Sequence, residues 1–205
     1  MDKKNLSILL SQLKTFNKPK YNLEQYQTDA EITADILWNA FMNNDIKGKV
    51  IADLGCGNGI FGIGALILNA KKVFFLDIDE NNISLAKDNL TTIEKKTNFD
   101  SDAKFINKNV KSFKTKVDVV IENPPFGVKN IHQDKMFLKQ AFNVAKVIYS
   151  IHKIESKNFI DLFSKDSGFQ SKLITTYKLP LKKTLFYHIL PKYYVEVGCW
   201  RFNKK

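Results

Sequence analysis

The tetrapeptide Asn123-Pro124-Pro125-Phe126 holds the residues whose types point most directly to chemistry. The side-chain carbonyl of Asn123 and the backbone carbonyl of Pro124 can each accept one hydrogen from a conjugated amine, such as the exocyclic amine of adenine. Such acceptors favour a pyramidal nitrogen and aim it at a methyl donor, so they act by positioning and electrostatics. Pro125 stiffens the turn, and we expect Phe126 to stack on a target base turned out of its helix. The alternative is a stiff surface turn without chemistry.

The segment 53–59, Asp-Leu-Gly-Cys-Gly-Asn-Gly, is a second candidate site. Glycines between a strand and a helix let the backbone approach a ligand closely, and ligands of open α/β sheets bind at the carboxyl ends of the strands. Asp77 ends the next apolar run and could accept hydrogen bonds from both ribose hydroxyls of an adenosine. Residues 57–62 also match the dinucleotide fingerprint G-x-G-x-x-G, which leaves a nicotinamide cofactor as an alternative. Asp53 favours S-adenosylmethionine, because that cofactor carries an ammonium and a sulfonium and lacks a pyrophosphate.

An α/β domain would position these residues. Short apolar runs alternate with helical patterns, at residues 50–54, 73–76, 105–106, 117–121 and 147–151. This alternation is typical of a parallel sheet covered on both faces. Residues 171–179 and 195–202 predict two further strands, joined by a long Lys-rich connection as an antiparallel hairpin at the sheet edge. We therefore expect a Rossmann-like, doubly wound, mostly parallel sheet that ends in a hairpin.

Helix signals complete the predicted order of elements. An amphipathic helix with Leu6, Leu9, Leu10 and Leu13 should end near Asn17 and Pro19. Thr28 followed by Glu31 predicts a capping box at the start of the next helix. Further helices are expected at 60–68, from a cap at Asp79 towards Asn89, and at 134–146, with 91–103 as a loop. We expect one domain, 1–205, with a helical extension at 1–45 and the Rossmann-like core at 46–205.

Several segments together resemble the methyltransferase-like-protein-five family. They are residues 24–28 (Glu-Gln-Tyr-Gln-Thr), 53–59, 77–79, 123–127 with Lys129-Asn130, 137–138 and 149–153. Members of that family methylate N6 of one adenosine in small-subunit ribosomal RNA. The resemblance spans roughly residues 20–205 and implies a class I methyltransferase that uses S-adenosylmethionine. It implies cofactor contacts from Gln25, Thr28, Gly55, Asn58, Ile60, Asp77 and Asn123.

The predicted cofactor site includes further residues around these. Asp53, Gly57 and Gly59 belong to the glycine-rich turn, and Asn109-Val110 follows the third predicted strand. The family usually presents an Asp beside the cofactor adenine where this chain has Asn109. Asn can still accept a hydrogen bond from the adenine amine, so we expect binding to persist.

The composition favours a polyanionic partner. The net charge is +11 and the pI is near 9.5, and Lys and Arg that neutralise phosphates release condensed counterions. A source organism with generally Lys-rich proteins would explain the charge equally well. The two cysteines do not form a Cys/His cluster with metal spacing, so we expect neither a disulfide framework nor an intrinsic metal site. Cys56 should be a small residue packed behind the glycines.

These features lead to specific expectations about partners and location. We expect structured RNA as the partner and no membrane, because the longest apolar run is much shorter than the roughly 20 residues of a membrane span. A soluble, cytoplasmic protein is therefore predicted. The family resemblance adds a small zinc-binding activator subunit as a possible partner, since eukaryotic members need one.

The main alternative function is methylation of a glutamine side chain in a protein. That amide has the same conjugated nitrogen, and such enzymes also use Asn-Pro-Pro followed by an aromatic residue. In them the aromatic is typically Tyr and a helical substrate-binding domain precedes the fold, whereas here residue 126 is Phe and only a short segment precedes the first strand. A catalytically inactive RNA-binding protein is a second alternative. The intact glycine turn, Asp77 and Asn123 argue against it.

Overall fold

The structure is a computed structural model that describes residues 1–16, 28–126, 133–181 and 193–205. Its helices are α1 Lys3–Leu10, α2 Ala30–Met42, α3 Ile60–Ile67, α4 Glu80–Thr97, α5 Gln133–Val144 and α6 Lys157–Asp166. Its strands are β1 Val50–Leu54, β2 Lys72–Asp77, β3 Ala103–Asn107, β4 Val119–Glu122, β5 Val147–Lys153, β6 Phe169–Leu181 and β7 Tyr193–Lys204. Among these residues, none of the helices is long and apolar enough to cross a membrane.

The strands form one sheet in the order β3-β2-β1-β4-β5-β7-β6. The first five strands along the chain pair in parallel, with Ile51 of β1 opposite Val73 of β2 and Val119 of β4. β7 pairs antiparallel with both β5 and β6. The predicted doubly wound, mostly parallel sheet with a C-terminal antiparallel hairpin is therefore confirmed. The chain order reverses between β1 and β4, where open α/β sheets bind their ligands.

The core lies on both faces of the sheet, because alternate strand residues point to opposite sides. One face packs against α2, α3 and α4, with α1 lying on α2 and α3. The other face packs against α5 and α6 around Trp200 and Phe202. Asp45, Tyr149 and Arg201 tie β5 and β7 to the segment after α2, with the Tyr149 hydroxyl donating to Asp45 at 2.8 Å and Arg201 forming an ion pair at 2.8 Å.

Some element boundaries differ from the prediction. α1 ends at Leu10, well before Asn17, and the chain continues in tighter turns, in which the amides of Gln12 and Leu13 bond to the carbonyls of Leu9 and Leu10. α4 continues through most of the predicted loop 91–103, since Leu90 and Ile93 are buried at helical spacing and Asn98 ends the helix in the left-handed region. The predicted cap at Asp79 is confirmed, because its side chain accepts from the amide of Asn81.

Two further differences concern helices. The cap of α2 is Asp29, which accepts from the amides of Glu31 and Ile32, so the predicted capping box at Thr28 is wrong. α6 was absent from the predicted elements, because its buried residues Ile160 and Ser164 are few and its sequence is rich in charge. Asn17, Pro19 and the Lys-rich connection between β6 and β7 lie outside the described residues.

Candidate active site

A cleft of about 140 Å³ opens at the carboxyl ends of β1, β2 and β4. Its lining includes half of the predicted site residues that are described, together with residues that the sequence did not single out. Lining residues are Phe16, Gly55, Gly57, Leu76, Asp77, Ile78, Asn82, Lys108, Asn109, Val110, Asn123, Pro125, Gln133, Met136 and Phe137. The glycine-rich turn at 53–59, the end of β2 and the loop at 123–126 thus contribute residues to one cleft.

The glycine turn is held to β2 through its backbone. The amides of Gly55 and Cys56 both donate to the carbonyl of Leu76, at 2.8 and 2.9 Å. Gly55 and Gly57 have φ values of 72° and 54°, which side chains rarely adopt. A Cβ at Gly55 would lie 2.9 Å from the Phe137 ring, and one at Gly57 would lie 3.1 Å from the Phe16 ring. Both glycines therefore keep the floor of the cleft open.

Asp77 lines the cleft and is fixed by two backbone amides. One carboxylate oxygen accepts from Gly57 and the other from Asp79, each at 2.9 Å. Burial raises the pKa of Asp77 above its ordinary value, although these hydrogen bonds oppose the shift. Each oxygen of a carboxylate can accept more than one hydrogen bond. Asp77 is therefore oriented and still able to accept from ligand hydroxyls.

Asp53 has a supporting position and is not among the lining residues. It is 2% exposed, and its carboxylate accepts from the amide of Gly62 at 2.8 Å. Burial raises the pKa of Asp53 to about 7, because the nearby charge of Asp77 adds to desolvation while the Gly62 bond opposes it. Asp53 thus anchors the first turn of α3 beneath the glycine turn. A direct contact with the cofactor stays a prediction.

The other members of the glycine turn also support the cleft without lining it. Asn58 is 2% exposed, and its side-chain amide donates to the carbonyl of Lys14 at 3.1 Å. Gly59 begins α3 with a φ of 85°, and Ile60 is buried behind it. Cys56 is buried, and burial raises the pKa of its thiol. That environment suits a packing residue and opposes a nucleophilic role.

The segment after β3 forms another wall of the cleft. Asn109 is exposed and accepts from the amide of Lys111 at 3.0 Å, which starts a short 3-10 turn at 110–112. Val110 is buried against the sheet. Both predicted residues line the cleft, beside Lys108. The Asn109 carbonyl therefore already has one local partner and keeps one lone pair for a ligand.

Asn123 is held at the end of β4 by a residue from before α2. Its side-chain nitrogen donates to the hydroxyl of Thr28 at 2.8 Å, and Thr28 is 5% exposed. Because the nitrogen faces Thr28, the carbonyl oxygen lies on the other side of the amide, as inferred from the hydrogen bonds. Thr28 therefore orients the side-chain amide of Asn123, the predicted catalytic residue. This role needs the fold, because the two residues are distant along the chain.

The remaining residues of the loop at 123–126 occupy different environments. Pro125 lines the cleft, whereas Pro124 is buried behind it. Phe126 is 9% exposed and belongs to the apolar cluster on the α2–α4 face of the sheet. Stacking on a base would require its ring to leave that cluster, so this role stays a prediction. Gln25 and residues 127–132 lie outside the described residues.

A buried, hydrogen-bonded group of polar side chains adjoins the loop at 123–126. The Ser150 hydroxyl is 2.9 Å from Glu122 Oε1 and 2.8 Å from His152 Nε2. Burial raises the pKa of Glu122 to about 8 and lowers the pKa of His152 to about 3, so both are neutral near pH 7. Glu122 Oε2 and His152 Nδ1 have no hydrogen-bond partner among the described residues. Because Glu122 directly precedes Asn123, this hydrogen-bonded group of side chains adjoins the predicted catalytic residue.

Comparison with known proteins identifies the family. The model of the methyltransferase small domain matches residues 27–149. The rRNA N(6)-adenosine-methyltransferase METTL5 of Danio rerio is 33% identical, and the alignment covers 99% of both chains. The chain belongs to the METTL5 family.

Other relatives of this METTL5-family chain extend the comparison. An uncharacterized protein of Methanocaldococcus jannaschii is 36% identical over 95% of this chain and 90% of that protein. The crystal structure of a candidate RNA methyltransferase from Pyrococcus horikoshii superimposes with a TM-score of 0.89 and 39% identity, covering 100% of this chain and 98% of that one. The resemblance found in the sequence motifs is confirmed, and so is the Rossmann-like methyltransferase fold.

The residues of the cleft fit the cofactor of this family, S-adenosylmethionine. Gly55 and Gly57 leave room that any side chain would fill, and the buried carboxylate of Asp77 lines the cleft. A carboxylate suits ribose hydroxyls and the cationic groups of this ligand. The cofactor of this METTL5-family chain is S-adenosylmethionine, as the sequence predicted, and the nicotinamide alternative is wrong. Within the described residues, no group of His, Cys, Asp and Glu could hold a metal ion.

Proposed function

We propose that this chain transfers the methyl group of S-adenosylmethionine to N6 of an adenosine in structured ribosomal RNA of the small subunit. The observation that carries the proposal is the Thr28–Asn123 hydrogen bond, which presents an oriented amide at the cofactor cleft. The METTL5 relative named as an rRNA N(6)-adenosine methyltransferase supports the choice of target.

The chemistry follows from what the residues of the loop can bind. S-adenosylmethionine supplies an electrophilic methyl group. The carbonyl oxygen of Asn123 and the backbone carbonyl of Pro124 accept the two hydrogens of the adenine amine, which turns the nitrogen lone pair towards that methyl group. With the cofactor bound, the N6–methyl bond would form as the sulfur–methyl bond breaks, which would leave S-adenosylhomocysteine. The nitrogen then gives up one proton to solvent, because Asn cannot act as a base at neutral pH.

The charge and shape of the protein favour RNA over other substrates. The chain has a net charge of +11, and exposed lysines, Lys14 and Lys108, lie at or near the cleft. A domain of this size has little surface for reading a long sequence, so it should recognise shape and an unpaired base. Lys18, Lys20, Lys182, Lys183 and Lys192 are further candidates for phosphate contacts, outside the described residues.

Two finer assignments accompany the proposal. We assign the protein to the cytoplasm, where a ribosomal substrate is available. We also propose a small zinc-binding activator as its partner, by analogy with eukaryotic family members. β3 and β6 are the edge strands of the sheet, and an edge strand can pair with a second chain.

The test offers the purified protein four substrates side by side with labelled S-adenosylmethionine. These are small ribosomal subunits, naked ribosomal RNA, duplex DNA and a translation release factor. We expect labelled N6-methyladenosine in RNA only, with activity falling steeply as salt rises. Methylation of a glutamine in the release factor would instead establish the protein methyltransferase. Absence of transfer despite cofactor binding would favour the inactive RNA-binding protein.

A further inference from the structure

We propose that Phe16 is a cofactor-contacting residue and that the buried side chain of Asn89 is the positioning residue that places it there. The segment concerned is residues 11–16, which we call the strap. It leaves α1, crosses the glycine turn and brings Phe16 to the cleft. This inference rests on the proposed function only in taking S-adenosylmethionine as the ligand of the cleft.

The strap is fixed at one residue, Lys14, through its backbone. The amide of Lys14 donates to Asn89 Oδ1 at 2.8 Å, and its carbonyl accepts from Asn89 Nδ2 at 3.1 Å. That carbonyl also accepts from the side-chain nitrogen of Asn58 at 3.1 Å. Asn89 and Asn58 are 1% and 2% exposed. A buried side-chain amide that binds both the backbone N–H and the backbone C=O of one residue imitates strand pairing and leaves that residue little freedom.

The same clamp reaches the glycine turn. Asn89 Nδ2 donates a second hydrogen bond, at 2.9 Å, to the backbone carbonyl of Asn58. Asn58 lies between Gly57 and Gly59, so α4, the strap and the turn share one hydrogen-bond network. Leu13 is 5% exposed and anchors the strap on its apolar side. The position of the strap relative to the cofactor site is therefore set by contacts that lie outside the cleft.

This arrangement places the aromatic ring of Phe16 at the wall of the cleft. The tip of the Phe16 ring would lie 3.1 Å from a Cβ at Gly57, so the ring packs directly over this glycine. It lines the same cleft as Asp77. An apolar ring at this place excludes water from the ligand and strengthens the hydrogen bonds to Asp77. Lys14 contributes its backbone only, so its exposed side chain remains available to other partners.

The first experiment measures binding of S-adenosylmethionine and S-adenosylhomocysteine by calorimetry, without RNA. For Phe16→Ala we expect Kd to rise about tenfold for both ligands, because a wall acts on the parts that they share. Phe16→Leu should restore most of the affinity. Phe159→Ala is the matched control, because Phe159 is a partly exposed ring on α6 that does not line the cleft. An unchanged Kd for Phe16→Ala would overturn the assignment of Phe16.

The second experiment tests the positioning residue. For Asn89→Ala we expect the KM for S-adenosylmethionine to rise about fivefold to tenfold, with little change in kcat at saturating cofactor. Thr92→Ala, an exposed position on the same helix, should match the parent. A lower melting temperature with an unchanged KM would make the clamp merely structural and overturn its positioning role. Phe16→Ala remains decisive if Asn89→Ala does not fold, because Phe16 is only partly buried.

The outcomes separate this inference from the proposed function. A parent protein that binds the cofactor but methylates no RNA contradicts the function and leaves the strap testable by calorimetry. A parent protein that methylates RNA, with an unchanged Kd for Phe16→Ala and an unchanged KM for Asn89→Ala, contradicts the role of the strap alone.

Discussion

Among the described residues, the buried side-chain atoms without a hydrogen-bond partner lie near the ends of β4 and β5, and none lies near the ends of β1 and β2. On the first side, both oxygens of Asp77 and the amides of Asn58 and Asn89 have partners. On the second side, Glu122 Oε2 and His152 Nδ1 are buried without a hydrogen bond among the described residues. Each such atom costs about 1–3 kcal/mol.

This difference indicates that the two sides of the cleft serve different functions, cofactor binding near β1 and β2 and turnover near β4 and β5. The side that holds a ground-state ligand is preorganised by satisfied hydrogen bonds, so its substitutions should alter affinity. The side that carries Asn123 rests on neutral acidic and basic groups that have no ionised partner. Substitutions there should alter turnover or the pH dependence of folding, with smaller effects on cofactor binding.

The largest expected effect is that of Asn123→Ala on turnover. The amide acts on the amine in the transition state, so kcat should fall by about 10²-fold or more. The Kd for S-adenosylmethionine should rise only modestly. Single-turnover methylation of RNA and calorimetry measure the two quantities. Asn143→Ala, an exposed residue of α5, is the control, and near-normal turnover of the Asn123 variant would refute the different functions of the two sides.

Asp77→Ala should show the opposite pattern. Losing a carboxylate that accepts from ligand hydroxyls should weaken cofactor binding by about 10- to 100-fold, at roughly 1.5–3 kcal/mol for one charge-assisted hydrogen bond. Once cofactor is saturating, turnover should recover. Asp88→Ala on α4 is exposed and serves as the control. Calorimetry that finds equal affinity in the Asp77 variant would remove this residue from the binding site.

Glu122→Gln should change how folding stability depends on pH. The unfolded carboxyl has an ordinary pKa of 4.5, while the folded one is raised to about 8. Below the ordinary value both states are protonated, so the titration of Glu122 makes no contribution to stability there. Between the two values the free energy of unfolding of the parent falls as pH rises, by up to about 1.4 kcal/mol per pH unit for one proton. The Gln side chain does not titrate, so the free energy of unfolding of the variant does not fall in this way as pH rises.

The measurement is urea unfolding of parent and variant from pH 5 to pH 9. We expect Glu122→Gln to gain stability relative to the parent as pH rises, with the gain levelling off above about pH 8. Asp53 and His152 also titrate differently in the folded state, but their contributions cancel in this difference. Glu155→Gln is the exposed control. Parallel stability curves for parent and Glu122→Gln would contradict the buried neutral carboxyl.

The smallest expected effect is that of Asn109→Asp. An ionised carboxylate accepts a stronger hydrogen bond from the adenine amine than a neutral amide does. We expect cofactor to bind severalfold more tightly, with kcat unchanged. Asp can also keep the bond to the amide of Lys111. Weaker binding, measured by the same calorimetry, would mean that residue 109 does not face the adenine.

The sequence predicted the parts of this molecule that local patterns encode. Continuous apolar runs and glycine-rich turns located β1, β2 and the cofactor turn, because a buried parallel strand has few alternatives to an apolar run. The tetrapeptide at 123–126 located the loop after β4 that lines the cleft, because its distinctive residue types are adjacent in the sequence. The charge-rich helices α4 and α6 were located less well, because only a few of their residues face the core.

Contacts between distant residues could not be predicted. Thr28 has the composition of a helix cap, and only the fold brings its hydroxyl to Asn123. Asn89 looks like an ordinary polar residue of an amphipathic helix, yet it is 1% exposed and clamps Lys14. Phe126 was predicted from its motif to stack on a target base, yet it is 9% exposed and packs in the apolar cluster on the α2–α4 face of the sheet. In each case the deciding partner is remote along the chain.

The insertion of β7 between β5 and β6 has a consequence for how the chain assembles during synthesis. β6 is made first, but its sheet neighbour in the described structure is β7, which follows it along the chain. Domains begin to fold while the chain is still growing. The parallel strands β1 to β5 can therefore pair before β7 is made, while β6 still lacks its neighbour in the sheet. Trp200 and Phe202 of β7 then fill the core beside α5 and α6. A stalled ribosome that has not yet made β7 would therefore display an open β5 edge, and this intermediate should be the one most prone to aggregation.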